Sequence, residues 1–321
     1  SLPSRGLGDV YKRQIAGSGE VVVDIKATGI SFPDVLIVQG LYQFKPPFPF
    51  SPGSEISGVI SSIGEGVTLH QEGDRVMGSI GSGGLREKGV YSEHQLMPLP
   101  ESMDFDTAAG FPLNYGTTYH AFKQRGELKE GQSVLVLGAG GGLGITAIHI
   151  AKAMGAKVIA AASSQEKIDL CLREGADEGI IYERDMDRDL QKKFSDQIKE
   201  ATGGGVDMIY DLVGGDYAEP ALRAIARHGK YLVIGFTAGI PKMPLNLTLL
   251  KECQIVGVFW GQFAAIDQAE NQENFRELFE LHAQGKIKPF VSETYSLEEA
   301  ATAIKTLVDR KVLGKVVVRM D

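Results

Sequence analysis

The sequence predicts an α/β protein: a doubly wound parallel six-stranded sheet with a separate β-rich domain, an expectation carried by three observations. After residue 131 short apolar runs alternate with helical stretches, the pattern of a parallel sheet covered by helices. A cluster of glycines stands where one of these strands passes into a helix. Between residues 20 and 97, in contrast, apolar residues alternate in short segments separated by Gly and Pro.

Residues 1–14 show no strand alternation, no helical stripe and no apolar signal-peptide core, so they read as a non-native or disordered leader. From Glu20 the chain turns strand-like, with Val21, Val23 and Ile25 on one face, followed by strands over 56–63, 75–80 and 91–97. The Pro-rich segment 45–52 reads as a surface loop, because proline lacks the N–H that a central ladder requires. Parallel strands are expected over 133–137, 157–161, 179–182, 206–210, 230–234 and 254–259. Helices are expected between them over 142–154, 166–174, 187–201, 217–228 and 245–252. A helix over 271–284, a strand near Val291, a helix over 297–309 and a strand over 315–319 then return to the first domain.

A chain of 321 residues accommodates two domains at about 150 residues each. Its 43% hydrophobic and 23% charged residues exclude disorder. The net charge of −8 gives no field for phosphate backbones or anionic lipid, so nucleic acid and membrane are not expected partners. Cys171 and Cys253 fall in a helix and a strand, which argues against a disulfide framework and for a reducing cytoplasm. No run approaches the roughly 20 apolar residues of a membrane span.

The run Gly138-Ala139-Gly140-Gly141-Gly142-Leu143-Gly144 joins an apolar strand to an apolar helix. Strict G-x-G-x-x-G does not fit, but Gly138, Gly141 and Gly144 keep a G-x-x-G-x-x-G spacing. In this setting glycines allow a sharp turn and close approach to a pyrophosphate at the helix start; the alternative is a merely flexible loop. About 20 residues on, where NAD-preferring sheets place a carboxylate, the chain reads Ala161-Ala162-Ser163-Ser164. Ser163, Ser164 and Lys167 offer hydroxyl and ammonium donors to a 2′-phosphate, which points to NADPH, although serines there also cap helices well.

Gly131, Gln132, Leu135, residues 139–144 and Lys152 resemble the signature of quinone oxidoreductases and ζ-crystallin, within the medium-chain dehydrogenase/reductase superfamily. The likeness continues through residues 27–34, 52–55, 115–117, 211–215 and 257–261. Two positions depart from the pattern: His149 replaces a glutamine, and Ser31 replaces an asparagine beside the nicotinamide. The resemblance implies a GroES-like catalytic domain over 15–115 and 262–321 and a Rossmann NADP-binding domain over 116–261. It also implies a first strand ahead of Gly19, which residues 1–14 do not resemble. By the same resemblance Thr117 and Thr118 contact nicotinamide or phosphates, and Gly235, Phe236, Phe259 and Trp260 wall the nicotinamide, unless the aromatics are core. Tyr182 and Val213 join that cofactor set, and Lys315 closes the cleft. Tyr42, Ser31 and Asp34 are the catalytic candidates. Tyr42 could stack on a flat acceptor and donate to its oxygen, or lie on a surface loop and leave the proton to solvent. Asp34 and Glu55 fall beside the cleft, where a structural salt bridge serves equally.

Zinc-dependent relatives hold metal with Cys and His at positions matching Ser31, Ser54 and Ala109, so no metal is expected. Without a Lewis acid the easier reaction is reduction of an electron-poor acceptor. The expectation is thus an NADPH-dependent, zinc-independent reductase of quinones or α,β-unsaturated carbonyls. An enoyl-thioester reductase and a non-catalytic NADPH-binding or RNA-binding protein are the alternatives. Strand 254–259 reads as an edge strand, and the family's use of that edge implies a homodimer.

Overall fold

The computed structural model describes residues 14–309 and 312–320, so the expected leader lies outside the described residues except for Gln14. The described residues divide into two compact units: 14–112, 293–309 and 316–320 form one, and 113–292 with 312–315 form the other. Among the described residues no helix is long and apolar enough to cross a membrane.

The first unit is built on β1 (Glu20–Ile30), β2 (Glu55–Ile63), β3 (Arg75–Ser79), β4 (Lys88–Ser92) and β5 (Leu96–Pro98). Period-two alternation turns Val21, Val23 and Ile25 of β1 into a core with Ile56, Ile60, Val76, Tyr91 and Leu96. β1 pairs antiparallel with both β2 and β4. The sequence predicts one strand over 91–97, but the ladder breaks after Ser92. Ser92 Oγ accepts from His94 N–H at 3.4 Å and Gln95 Oε1 from Ser92 N–H at 3.1 Å, local bonds that form a 3₁₀ turn in place of ladder pairing. The proline segment 45–52 forms no strand.

The second unit carries β6 (Ser133–Leu137), β7 (Lys157–Ala162), β8 (Glu178–Ile181), β9 (Val206–Asp211), β10 (Ile225–Val233) and β11 (Gln254–Gly257). These lie in the order β11-β10-β9-β6-β7-β8, with every neighbouring pair parallel. The chain starts at β6, runs outward to β8 and returns to β9. Strand order therefore reverses between β6 and β9, and open parallel sheets bind ligands at the carboxyl ends of strands flanking such a reversal. All five residues of β6 are buried, as expected of a strand covered on both faces.

Two expected elements differ. A helix is predicted over 217–228, but it spans only Ala218–Arg223, and Ile225 already pairs with Val206 of β9. The register then shifts between Ile225 and Lys230, leaving His228 at φ +64°. Ladder bonds to the sheet thus displace the local helical preference. The strand expected to Phe259 stops at Gly257, and Phe259 opens a helix, Trp260–Ile266, that the sequence pattern does not announce.

β12 (Val291–Tyr295) and β13 (Lys315–Arg319) complete the first sheet, in the order β12-β13-β1-β2-β3-β5. Residues 262–292, assigned from sequence to the first domain, fall in the unit of the parallel sheet. Three bonds hold their long helix there: Glu277 Oε2 accepts from Tyr119 Oη and from Lys123 Nζ, each at 2.6 Å, and Asn274 accepts from Gln124 Nε2 at 2.9 Å.

Candidate functional site

At the carboxyl end of β6 the backbone turns through Gly138, at φ +79°, whose N–H and that of Ala139 both donate to Ala161 O at 3.0 Å. Gly141 is the N-cap of the helix Gly142–Ala153, so the cap residue itself brings no side chain to the helix start. A Cβ on Gly144 would lie 2.4 Å from Ala139 O, whereas one on Gly141 would meet nothing closer than 3.8 Å. The three spaced glycines therefore do different work: a left-handed turn, an open face and a close crossing. Orphan N–H groups and the positive end of the helix dipole on such an open face make an anion site. A dinucleotide pyrophosphate fits this cradle.

Two cations are brought to the loop. A Cβ on Gly140 would meet Cβ, Cγ and Cδ of Lys167 at 2.8–3.0 Å, so the Lys167 stem crosses the loop there. Gly314 N–H donates to Gly140 O at 3.1 Å, and Gly141 and Gly314 form a parallel bridge that brings Lys315, buried, beside the loop. β7 ends in Ala162, followed by Ser163 and Ser164 with no carboxylate. Ser164 Oγ accepts from Lys167 N–H at 3.4 Å, a helix cap, while Ser163 is half-buried.

Asp211, at the end of β9, organises the facing loops. Its Oδ1 accepts from the N–H groups of Val213 and Gly214 at 2.8 and 2.9 Å, and its Oδ2 accepts from Tyr231 Oη at 2.6 Å. Burial pushes its carboxyl above the ordinary range despite those donors. The N–H groups of Ile234 and Gly235 donate to its carbonyl, so Val213, Gly235 and Phe236 share one anchored turn. Val213 also packs over Gly138, with Cγ2 3.0 Å from where a Cβ would stand. Phe236 and Phe259 are exposed. Trp260 is buried, its Nε1 donates to Asn271 at 2.9 Å, and its ring leaves no room for a Cβ on Gly116. Thr117 is half-buried, and Thr118 is bonded to Tyr210 Oη at 2.9 Å. Tyr182 lies in an aromatic core, 4.7 Å from the Tyr217 ring and 5.9 Å from Phe194. His149 bridges Tyr115 Oη at 3.0 Å and Glu174 Oε2 at 2.8 Å.

In the first unit Ser31, Asp34, Ser54 and Glu55 form a buried polar cluster. Asp34, fully buried, accepts from Ser31 N–H at 2.8 Å, Gly53 N–H at 3.1 Å and Ser54 Oγ at 3.2 Å, while Ser31 Oγ donates to Glu55 at 3.1 Å. Tyr42 is half-buried, and burial, then the Asp34 charge, pushes its hydroxyl up. Ser31, Ser54 and Ala109 offer neither thiolate nor imidazole, so these positions do not fit a zinc ion. Among the described residues no three His, Cys, Asp or Glu side chains gather as around a metal. Sequence reasoning gave no role to Asp211, although it opens the 211–215 stretch that carries the family likeness.

A doubly wound parallel sheet with an uncapped glycine loop at its reversal point, in one chain with an antiparallel β unit, defines the medium-chain dehydrogenase/reductase class. Residues 17–101 match the alcohol dehydrogenase GroES-like domain and 142–283 the zinc-binding dehydrogenase domain. The chain is 37% identical to a quinone oxidoreductase-like protein 2 homolog of Nematostella vectensis, over 97% of this chain and 84% of that protein. It superposes on a probable oxidoreductase of Mycobacterium abscessus with TM-score 0.84 at 37% identity, covering 97% of this chain and 93% of that one. The Escherichia coli quinone oxidoreductase complexed with NADPH gives 0.87 at 29% identity, covering 97% and 94%. This chain belongs to the quinone oxidoreductase family.

Proposed function

We propose that the chain is an NADPH-dependent, zinc-independent reductase that transfers hydride to quinones or α,β-unsaturated carbonyls. The observation that carries the cofactor choice is the end of β7, where no carboxylate opposes a 2′-phosphate and the Lys167 stem crosses Gly140. The likeness to a quinone oxidoreductase complexed with NADPH supports the same choice. When bound, NADPH supplies a hydride to an electrophilic carbon. The chain's residues position and shield. The helix start at Gly142 with Lys167 holds phosphate, the Asp211-anchored turn carrying Val213, Gly235 and Phe236 bounds the nicotinamide end, and Thr117 and Lys315 complete the hold. Tyr42, kept protonated by burial and by Asp34, donates to the developing acceptor oxygen. Asp34 has both oxygens committed to donors, so its role is to fix Ser31 and the Gly53 turn rather than move a proton.

The same reading makes the protein a cytoplasmic homodimer with a small electrophilic acceptor as its partner. In support, β11 is an edge strand with exposed Leu249, Leu250 and Phe259 near it in sequence. Light scattering checks this; a monomer mass overturns it. The activity is tested by NADPH oxidation with benzoquinone, phenanthrenequinone, cyclohexenone and crotonyl-coenzyme A, with and without EDTA, and again with NADH. Quinone or enone turnover, preferring NADPH and indifferent to chelator, is expected, and Tyr42→Phe should cut kcat about 10-fold or more. Turnover of the thioester alone would make it an enoyl-thioester reductase, and tight NADPH binding without turnover a binding protein.

A further inference from the structure

The glycine spacing of the loop accounts for Gly138, Gly141 and Gly144, and the Lys167 stem accounts for Gly140, but Gly142 has no such reason. It is not among the left-handed glycines, and no helix start requires glycine at its first residue. What a Cβ there would meet is the Asn114 carboxamide, with Nδ2 at 2.9 Å, and Gly314 O at 3.2 Å. Asn114 is 4% exposed, and its carboxamide hydrogen-bonds to no other described residue. A primary amide carries two N–H donors, and on a side chain this little exposed they gain from a nearby acceptor. This one faces the first residue of a 12-residue helix whose N-cap brings no side chain. An unpartnered donor on a largely buried side chain, set beside the positive end of a helix, is arranged for an anion.

We infer that Asn114 is a further cofactor ligand, its Nδ2 donating to the pyrophosphate of the dinucleotide held at the Gly142 helix start. The inference rests on the NADPH reading above. Gly142 is then glycine because any side chain would displace the amide. An uncharged donor suits the position: it adds a hydrogen bond without the salt sensitivity of another cation.

The test is calorimetric titration of the wild type, Asn114→Ala, Asn114→Asp and Gly142→Ala with two ligands, NADPH and adenosine 2′-monophosphate, which carries the 2′-phosphate but no pyrophosphate. NADPH affinity is expected to fall about 10-fold in Asn114→Ala and Gly142→Ala, and further in Asn114→Asp, where a carboxylate faces phosphate. Affinity for adenosine 2′-monophosphate is expected to stay at the wild-type value throughout. Should Asn114→Ala not fold, Gly142→Ala poses the same question with Asn114 intact. Variants that bind NADPH as the wild type does overturn the inference alone. Equal weakening of both ligands also overturns it, since that marks a general structural loss. A wild type that binds no NADPH overturns the cofactor reading, and this inference with it.

Discussion

One methyl group at Gly144 would stand 2.4 Å from Ala139 O and 2.5 Å from Gly138 O, backbone atoms that cannot rotate aside. Gly144→Ala should therefore cost about 1–3 kcal/mol and abolish NADPH binding, read by thermal melting and titration. Glu174 offers a pH test. The hydrogen bond from His149 holds its carboxyl below the ordinary 4.5, so the folded state binds that proton more weakly than the unfolded chain. The contribution is present above about pH 4.5 and lost as pH falls through the folded value. Glu174→Gln should destabilise by about 1.5 kcal/mol near neutrality, and the difference should shrink in acid melts. The loop's glycines are legible in sequence because their steric demand is met within a few residues and by an adjacent strand. Asn114 and Asp211 are not, because an amide or a carboxylate shows its purpose only beside partners remote in the chain, Gly142 and Tyr231.

Elements were readable to the extent that local signals governed them. The helix Arg188–Thr202 begins where Asp187 Oδ1 accepts from Leu190 N–H at 2.9 Å and ends at left-handed Gly203, both visible as residue types. Asp187→Ala should cost about 1 kcal/mol in urea unfolding, with the denaturant slope unchanged. The end of the expected helix over 217–228 was not readable, because Ile225 and its neighbours answer to β9 rather than to their own propensities. The helix Trp260–Ile266 was hidden for a related reason. Trp260 packs on Gly116 and bonds Asn271, tertiary terms absent from a window of sequence.

For the molecule as a whole, the fold class and the parallel strand rhythm were evident from composition and periodicity, whereas the placement of 262–292 was not. That placement depends on Glu277 and Asn274 meeting Tyr119, Lys123 and Gln124, pairs about 150 positions apart. Ligand linkage follows from a site built into the native state only. NADPH at about 100-fold over its Kd should add roughly 2.7 kcal/mol and raise Tm by about 5–10 °C in scanning calorimetry, whereas no upward shift would contradict binding.

The bridge from Gly141 to Gly314 gives the loop a timetable as well as a shape. Its glycines leave the ribosome well before Gly314, the residue that lies along them. A nascent chain stalled before Gly314 emerges can form the parallel sheet yet lacks one wall of the phosphate cradle. Nucleotide capture is thereby deferred until Gly314 has been made and has reached the loop.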